Sequence, residues 1–461
     1  MTNMNLLNIA KACQGTLVCR KELEEREIAG AVLDSRQVEK DFLFIATKGE
    51  RVDGHQFIEQ VFLNGALCVI CERAPEKTVP AYILVEDSFT ALRKIAEYYR
   101  STLDIKIVGI TGSVGKTSTK EFVAGVLEQK FNVLKTEGNF NNEVGVPLMV
   151  LKIRKEHEVA VLEMGINHFG EMSRLTRIVK PDICVMTNIG QCHLEFLGSR
   201  EGILKAKSEI FESMTEDGSV CVNGDDNMLQ TIKAVHGKEP LRFGLSDKNQ
   251  IFATNIVDQG LFGSTCQIHI GTDSFTVKIP LSGQHMIYNA LAATAVGNLL
   301  GLTTDEITNG IASVKAMSGR NNIIQTAKYV LLDDCYNANP VSMKAGIDLL
   351  TTAPGRKAAM LGDMMELGDD TNAFHTEIGH YVVEKKIDVL LCVGAYSAYM
   401  QKGAMEEAAK ENSAIKIYHF ADKDAMMQQL RDILKPQDTI LIKASHSMGF
   451  ETIVKALQEE C

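Results

Sequence analysis

One segment limits the possible folds of this 461-residue chain more than any other: an apolar run followed by a glycine-bearing loop and then by a helical pattern. The run spans 105–110, and apolar residues recur at helical spacing from Phe122 to Leu127. Glycines let successive N–H groups point at phosphate oxygens at a helix N-terminus, while a lysine and a hydroxyl serve the phosphates and Mg²⁺. The sequence therefore predicts a P-loop, made of Gly112, Ser113, Val114, Gly115, Lys116, Thr117 and Ser118.

The loop matches the shorter pattern GxxGK[ST], because Ile110 stands where the full Walker pattern has a glycine. The alternative interpretation is a glycine turn before a helix with an exposed lysine. The strand before the loop and the helix after it favour the phosphate-binding interpretation. A P-loop indicates a nucleotide but leaves the reaction open.

Apolar strand-like runs alternate with amphipathic segments along the chain, as in EVAVLEMG, PDICVMTNIG, KAAMLGD and DVLLCVG. Such alternation predicts an α/β protein with parallel sheets covered on both faces. The pattern restarts twice, which predicts three domains. They are a small N-terminal α/β domain at 1–100, a central P-loop domain at 101–318 and a Rossmann-like domain at 319–461.

The balance of 48 Lys plus Arg against 59 Asp plus Glu gives a net charge of −11, which argues against nucleic acid as a partner. The first residues lack the pattern of a signal peptide, and no apolar stretch is long enough to span a bilayer. Eleven cysteines are scattered, and the CxxC at Cys68 to Cys71 lies in an apolar run, so we expect reduced strand cysteines. We expect a cytoplasmic protein.

Further polar residues occur where a packed core would not favour them. They lie in a glycine- and amide-rich loop at 136–147, at Glu163 after an apolar run, at His193 after another, and at Lys207 on a helical pattern. Taken singly, each has a plain structural explanation, such as a solvated strand end or a surface lysine. Glu163 is notable because ligands bind at the carboxyl edge of parallel sheets.

The order of these segments resembles that of the Mur ligase family, the ATP-dependent amide-bond-forming enzymes of cell-wall synthesis. Other matching segments are GQHMIYNALAA at 283–293, SGR at 318–320 and DCYNANP at 334–340. DSR at 34–36 with KGERVDGH at 48–55, GNFNNEVGVP at 138–147 and LGDMMELG at 361–368 are most similar to members that add D-alanyl-D-alanine to UDP-N-acetylmuramoyl-tripeptide. The first of these three segments is shared with the sibling that adds the third residue.

The resemblance implies that the peptide carboxyl is phosphorylated by ATP and that the acyl phosphate is then attacked by the amine. It implies two Mg²⁺ ions, with Thr117 and Glu163 on the first and His193 on the second. Lys207 aligns with the lysine that the family carbamylates with CO₂, and a carbamate is an anionic oxygen ligand suited to Mg²⁺. Lys205 is the competing candidate, but the two lysines would lie on different faces of a helix.

The resemblance also assigns binding residues. For the nucleotide, the phosphate loop would be joined by Asn289, Arg320, Asp334, Tyr336 and Asn337. For the UDP-precursor, the residues would be Ser35, Arg36, Thr136, Asn139 and Asn142. Closure of the C-terminal domain is expected to assemble the site. The protein is expected to be a monomer.

Two departures from the family pattern stand out. Lys443-Ala444-Ser445-His446 replaces the common Lys-Gly-Ser-Arg, and an imidazole cannot reproduce the bidentate fork of an arginine. Met286 replaces an asparagine. The competing interpretations are a sibling ligase that adds another residue, a folate polyglutamate ligase, and a nucleotide-binding switch with a degenerate ligase site.

Overall fold

The computed structural model describes residues 1–49 and 52–459, so Glu50 and Arg51 of the KGER segment lie outside the described residues. Contacts group the chain into two compact units. The first comprises 1–111, 130–185 and 206–220, and the second comprises 112–129, 186–205 and 221–461. The sheets occupy the three predicted ranges, so the three-domain α/β architecture is confirmed. The domain boundaries themselves remain predictions.

The N-terminal sheet lies in the first unit and has the strand order β1-β5-β4-β3-β2. Strand β1 is antiparallel to β5, and the other neighbours are parallel. Helix α3 begins after Asp87, whose carboxylate accepts the Thr90 N–H. The elements are α1 Leu6–Cys13, β1 Thr16–Cys19, β2 Gly30–Val32, β3 Phe42–Ile45, α2 Ile58–Leu63, β4 Cys68–Cys71, β5 Ala81–Leu84 and α3 Ser88–Ser101.

The central range begins with strand β6, which leads into the phosphate loop and helix α4. In the first unit the strand order is β9-β6-β8-β7, and β8 is parallel to both of its neighbours. The elements are β6 Lys106–Thr111, α4 Lys116–Leu127, β7 Val133–Lys135, α5 Gly145–Leu151, β8 Val159–Glu163, α6 Glu171–Val179, β9 Ile183–Met186, α7 Leu194–Leu197 and α8 Arg200–Ser208.

The second unit holds the remaining central strands, in the order β14-β13-β12-β11-β10. Helix α9 is buried along most of its length and packs against α4, the helix that follows the phosphate loop. The elements are β10 Ser219–Asn223, β11 Leu241–Gly244, β12 Ile251–Asp258, β13 Ser264–Ile270, β14 Asp273–Ile279, α9 His285–Leu299 and α10 Thr304–Ser313.

The C-terminal sheet also lies in the second unit and has the order β15-β16-β20-β17-β18-β19. It is parallel except for β15, and apolar clusters cover both faces. The elements are β15 Asn322–Gln325, β16 Val330–Asp333, α11 Pro340–Thr351, β17 Lys357–Gly362, α12 Thr371–Glu384, β18 Val389–Val393, α13 Ser397–Glu411, β19 Lys416–Phe420, α14 Lys423–Met427, α15 Leu430–Ile433, β20 Thr439–Lys443 and α16 Glu451–Glu459.

The sheets contain the predicted parallel strands together with some antiparallel strands at their edges. Strands β12, β13 and β14 form an antiparallel meander, and β1 and β15 are antiparallel edge strands. The buried residues of β13 alternate with half-buried ones, whereas β8, β9 and β17 are almost wholly buried. The two patterns differ because antiparallel strands can face water on one side, whereas parallel strands are packed against other elements on both sides.

Short 3₁₀ turns connect several elements, and the one at Ser35–Gln37 carries two residues of the predicted site. These turns lie at Lys21–Leu23, Ser35–Gln37, Gly54–Phe57, Glu209–Phe211, Leu229–Thr231, Gly260–Phe262, Gly368–Asp370 and His446–Met448. Cys68 and Cys71 are buried free thiols of β4, as the sequence predicted. Within 1–49 and 52–459, every helix is too short or too polar to cross a bilayer.

Candidate active site

The phosphate loop requires glycine where it leaves strand β6. Gly112 has φ +149°, and a Cβ there would lie 2.0 Å from Thr187 Oγ1, so a side chain cannot be accommodated without moving that threonine. Gly115 precedes α4 with φ +84°, in the left-handed region. The two glycines therefore allow the backbone to turn from strand to helix over four residues.

Two residues from the loop after β9 hold the phosphate loop in shape. Asn188 Oδ1 accepts the Val114 N–H at 3.0 Å, and Asn188 Nδ2 donates to the Val114 carbonyl at 2.9 Å. Thr187 Oγ1 donates to the same carbonyl at 2.7 Å. The sequence analysis did not assign either residue, although both lie in the quoted segment PDICVMTNIG. Two hydrogen-bonding side chains directly after a buried strand were the available signal.

Hydrogen bonding and burial orient two side chains of the phosphate loop. Lys116 Nζ donates to the Gly112 carbonyl at 2.8 Å, and Thr117 is 1% exposed at the start of α4. The first N–H groups of a helix have no intrahelical acceptor, so those of Lys116, Thr117 and Ser118 can point at an anion. The loop thus combines backbone donors, a lysine charge and a hydroxyl.

Asn289 lies next to this loop, at the start of α9. Its Oδ1 accepts a hydrogen bond from Thr119 Oγ1 at 2.8 Å, and a Cβ on Gly115 would lie 3.4 Å from the same oxygen. Its Nδ2 points at Met286 Sδ, 3.3 Å away. Asn289 is 5% exposed, so in this structure it fastens α9 to the P-loop helix. Met286 occupies the position of the expected asparagine as a sulfur partner for this amide.

In the first unit, Glu163 ends strand β8 as a buried carboxylate. It is 2% exposed, and its Oε1 accepts a hydrogen bond from Asn141 Nδ2 at 2.7 Å. Its Oε2 is buried and has no hydrogen-bond partner among the described residues. Burying an ionised oxygen without a donor is costly, and cation binding is a common reason for it. The sequence analysis missed Asn141, although it lies in the quoted GNFNNEVGVP.

Thr136 differs from its expected role in substrate contact. It is 1% exposed, and its Oγ1 accepts the Glu163 N–H at 2.9 Å. A side chain so buried is withdrawn from solvent, and it fixes the backbone that carries Glu163. Thr136 therefore supports Glu163 in this structure, and its contact with the precursor stays a prediction.

The two candidate lysines on α8 differ sharply in exposure. Lys207 is 0% exposed, whereas Lys205 is exposed to solvent. The prediction that they lie on different faces of the helix agrees with this difference. A fully buried lysine is unusual, because an ammonium loses its hydration.

The residues expected at the precursor end are mostly accessible. Asn139 and Asn142 are exposed, and Asn142 Oδ1 accepts N–H groups from Val144 and Gly145 at the start of α5. Ser35 is half-buried, and the Arg36 side chain is 87% exposed. Arg36 is paired with Asp34 over 2.7 Å, and this hydrogen bond lowers the pKa of the Asp34 carboxyl. These side chains are available for a polar ligand.

Three of the expected C-terminal residues, Arg320, Asp334 and Tyr336, lie together with His446. The Arg320 guanidinium stacks 3.9 Å above the Tyr336 ring, and the His446 ring is tilted against Tyr336 with centroids 5.0 Å apart. The Tyr336 N–H donates to the Gly319 carbonyl at 2.9 Å, which ties SGR to DCYNANP, and the Asn321 N–H donates to Asp334 Oδ1 at 3.2 Å. The arrangement presents a cation, an aromatic face and a carboxylate at the carboxyl edge of the C-terminal sheet.

Asp334 is held by the lysine of the altered C-terminal motif. Lys443 is 2% exposed, and its Nζ donates to Asp334 Oδ2 at 2.5 Å and to the Asn337 carbonyl at 3.0 Å. Burial lowers the pKa of nearby His285, partly opposed by Asp334. Asn337 itself is exposed, while Asn339 and Pro340 start helix α11 through a capping box. The departure at His446 therefore leaves the Lys443–Asp334 pair in place.

His193 contacts a residue that the sequence analysis did not assign to the site. His193 Nδ1 lies 2.6 Å from Glu366 Oε2, in the quoted segment LGDMMELG. In the same region, a Cβ on Gly368 would lie 3.5 Å from the backbone of Glu195. The central loop and the C-terminal loop thus approach each other at two points within the second unit.

The fold and the loop define the class as a nucleotide-binding P-loop α/β protein. Comparison with known families is more specific: residues 27–100 match the Mur ligase family catalytic domain, 110–297 the Mur ligase middle domain, and 319–446 the Mur ligase glutamate ligase domain. The chain belongs to the Mur ligase family.

Relatives and solved structures agree over the full length. The chain is 38% identical to the UDP-N-acetylmuramoyl-tripeptide--D-alanyl-D-alanine ligase of Bacillus subtilis (strain 168), covering 100% of this chain and 99% of that protein. A crystal structure of MurF from Acinetobacter baumannii superposes with a TM-score of 0.88 at 32% identity, covering 99% of both chains. The MurF ligase of Thermotoga maritima, solved in complex with ADP, gives a TM-score of 0.81 at 31% identity, covering 94% of this chain and 97% of that one.

Proposed function

We propose that this chain is an ATP-dependent ligase that joins D-alanyl-D-alanine to UDP-N-acetylmuramoyl-tripeptide in peptidoglycan precursor synthesis. The observation that carries the proposal is full-length identity of 38% to a relative with that named activity. A phosphate loop with Lys116 and Thr117 in place supplies the nucleotide-binding element that the reaction needs.

The reaction has two steps, phosphorylation of the peptide carboxylate and attack of the amine on the acyl phosphate. A carboxylate oxygen of the tripeptide attacks the γ-phosphorus, the bond to ADP breaks, and an acyl phosphate forms. The amine of the dipeptide then attacks the acyl carbon, and the tetrahedral intermediate expels phosphate while the nitrogen loses a proton. The phosphate loop holds the nucleotide in line for the first step, and Arg320 offsets charge on the transferred phosphoryl group.

Mg²⁺ fits the donor groups that the chain presents. Glu163 Oε2 is a buried carboxylate oxygen with no hydrogen-bond partner among the described residues, and carboxylate and hydroxyl oxygens are the ligands that Mg²⁺ prefers. Thr117 and Glu163 would hold one ion, and His193 and Lys207 would belong to the second. When bound, the ions neutralise charge on the phosphates. Asn141 and Thr136 keep the carboxylate of Glu163 in its orientation.

Lys207 is the residue we assign to carbamylation by CO₂. An ammonium group at a fully buried position is costly and would repel a metal cation, whereas a carbamate carries oxygen ligands. Lys205 is exposed and therefore gains less from the modification. Mass spectrometry of the intact protein in bicarbonate would show the added CO₂ in wild-type protein and its loss in Lys207→Arg.

The binding roles follow the same resemblance. Asp334, Tyr336, Asn337 and Asn289 border the nucleoside of ATP, with Asn289 acting through the P-loop helix that it fastens. At the precursor end, the accessible residues are Ser35, Arg36, Asn139 and Asn142. The proposal includes a cytoplasmic, monomeric protein without a nucleic-acid partner, and light scattering would test the oligomeric state.

Phosphate release tests the proposal against its rivals. The assay contains ATP, Mg²⁺ and UDP-N-acetylmuramoyl-tripeptide, with either D-alanyl-D-alanine or a single amino acid as acceptor. Release that requires the dipeptide supports the proposal, and release with a single amino acid and a shorter precursor would favour a sibling ligase. Release with folate and glutamate would favour the folate enzyme. No release with any pair would favour a nucleotide-binding switch.

A further inference from the structure

The contact between His193 and Glu366 joins two loops of different sheets within the second unit. His193 follows β9 and precedes α7, while Glu366 follows β17 in the C-terminal sheet. Nδ1 of the imidazole and Oε2 of the carboxylate are 2.6 Å apart. The His193 side chain is 19% exposed and that of Glu366 is 43% exposed, so the pair is partly shielded from water.

Both residues adopt backbone conformations that such side chains rarely take. His193 has φ +53° and Glu366 has φ +61°, in the left-handed region. Non-glycine residues at positive φ carry a backbone cost, and functional sites are among the places where such strain persists. The strained pair therefore requires support from its surroundings.

The loop that carries Glu366 is held by buried neighbours. The Met364 N–H donates to His375 Nε2 at 2.9 Å, and His375 is 0% exposed. The Met365 N–H donates to Ser445 Oγ at 2.9 Å, and Ser445 is 4% exposed. Two consecutive backbone groups before Glu366 are thus held by hydrogen bonds, and the Glu366 carboxylate lies against His193.

The loop that carries His193 is similarly constrained. The His193 carbonyl accepts the N–H groups of Phe196 and Leu197 at 3.1 and 3.0 Å, so the residue caps the short helix α7. The imidazole is therefore attached to a defined turn. Both partners of the contact are positioned by backbone hydrogen bonds.

The chemistry of the pair determines which imidazole nitrogen carries the proton. An ionised carboxylate can only accept, so the neutral imidazole must hold its proton on Nδ1. In that tautomer the lone pair is on Nε2, the nitrogen that can bind a metal ion. Carboxylates that accept from the second nitrogen of a metal-binding histidine fix its tautomer and ring orientation.

We propose that Glu366 is a positioning residue for His193, by which the C-terminal domain sets the orientation of the ligand for the second metal ion. This inference rests on the proposed function, which assigns that ion to His193. It adds a residue from the C-terminal domain to a metal site otherwise drawn from the central domain. The metal affinity of the central domain would then depend on a contact made by the C-terminal domain.

The test uses the full-length chain with Mn²⁺ and a non-hydrolysable ATP analogue, with bound Mn²⁺ counted by electron paramagnetic resonance. Glu366→Asn tolerates the positive φ but is too short to reach Nδ1, and Glu366→Gln keeps the length without the charge. We expect two ions on wild-type protein. The second Mn²⁺ ion should bind about 10- to 100-fold more weakly to Glu366→Asn than to wild-type protein, and the loss should be smaller in Glu366→Gln. The affinity for the first ion should be unchanged in both variants.

Asp369→Asn is the matched control, because it removes the same charge from an exposed position on the same segment. It should bind both ions like wild-type protein. A second readout needs no metal: nitrogen NMR of histidine-labelled protein should show His193 protonated on Nδ1 in wild type, with this preference lost in Glu366→Asn.

Two ions bound equally by wild type and Glu366→Asn would overturn the inference and leave the proposed ligase function intact. Equal weakening of both ions would also overturn it, because it would show a general structural effect. A wild-type chain that binds one ion would overturn both the inference and the second-metal assignment. An Nε2-protonated His193 in metal-free wild-type protein would contradict the stated geometry.

Discussion

At the scale of single residues, Glu163 is placed where stability alone would not place a carboxylate. Its Oε2 is buried at the end of β8 without a hydrogen-bond partner among the described residues. Its Oε1 is held by Asn141 and its backbone by Thr136. Such burial is costly, and the proposed ligation of Mg²⁺ would offset that cost.

Replacing Glu163 by glutamine separates stability from function. In metal-free buffer we expect Glu163→Gln to melt at the same temperature as wild-type protein or higher, since a buried charge is removed. Mg²⁺ with ADP at 100 times its Kd should stabilise wild-type protein by about 2.7 kcal/mol and the variant by less. Thermal melts with and without Mg²⁺–ADP measure both effects. Equal stabilisation of the two proteins would exclude Glu163 as a metal ligand.

The sequence suggested candidate residues but did not show which residues support them. Glu163 and His193 follow apolar runs, Lys207 lies on a helical pattern, and their order matches that of the Mur ligase family. Asn141, Asn188 and Glu366 act through other residues, and their partners are 22, 74 and 173 positions away in the chain. Only the folded chain shows such pairs. The burial of Thr136 was not predictable, because the sequence of a polar loop gives no sign of which side chains are buried.

At the scale of elements, strand–helix units were predictable and sheet edges were not. Fully apolar runs such as those of β8, β9 and β17 indicate strands covered on both faces, and all three are found there. The β12–β14 meander was not predicted, because its strands lie beside polar segments in the sequence. Whether two neighbouring strands pair parallel or antiparallel depends on how the chain connects them, and the spacing of apolar residues does not indicate this.

The phosphate loop depends on the residues that follow β9. In Asn188→Ala the Val114 N–H and carbonyl lose hydrogen bonds, while the Thr187 contact remains. We expect ATP to bind more weakly by about 1–2 kcal/mol, or roughly 5- to 30-fold in Kd. Isothermal titration calorimetry measures this, with Asn309→Ala on an exposed position of α10 as the control. Unchanged Kd in Asn188→Ala would mean that the loop holds its shape without this amide.

His375, a buried histidine of α12, should make stability depend on pH. His375 donates from Nδ1 to the Thr371 carbonyl and accepts the Met364 N–H, and its burial lowers its pKa in the folded chain. Below its unfolded pKa of about 6.5, the unfolded chain therefore binds a proton that the folded chain resists. The free energy of unfolding should decrease as pH falls, by up to roughly 1.4 kcal/mol per pH unit from this group.

Urea unfolding at several pH values measures that slope. His375→Asn should have a shallower decrease below pH 6.5 than wild-type protein, whatever its stability at neutral pH. His236→Asn changes an exposed histidine that already has positive φ, and should keep the wild-type slope. Equal slopes for His375→Asn and wild type would show that His375 is protonated in the folded state as readily as in the unfolded one.

At the scale of the whole molecule, family membership and the three-sheet architecture were visible in the sequence. The order of the phosphate loop, Glu163, His193 and Lys207 is a property of the chain and needs no coordinates. The pairing of Lys443 with Asp334 and the stacking of Arg320 and His446 on Tyr336 need the fold, because they join residues more than 100 positions apart or from separate loops. His446, which stands where the family commonly has an arginine, packs beside Tyr336, and this contact is visible only in the folded chain.

The most direct test of the proposed ligase reaction measures whether an oxygen atom of the peptide carboxyl group is transferred to phosphate. UDP-N-acetylmuramoyl-tripeptide is labelled with ¹⁸O in its terminal carboxyl group and incubated with ATP, Mg²⁺ and D-alanyl-D-alanine. Phosphorylation of the carboxylate followed by amine attack must leave one labelled oxygen in the phosphate, and the nucleotide product must be heavier by one dipeptide residue. Mass spectrometry of both products should show this, only with the dipeptide present. Phosphate that carries no label, with the precursor unchanged, would identify ATP hydrolysis by water and contradict the ligase assignment.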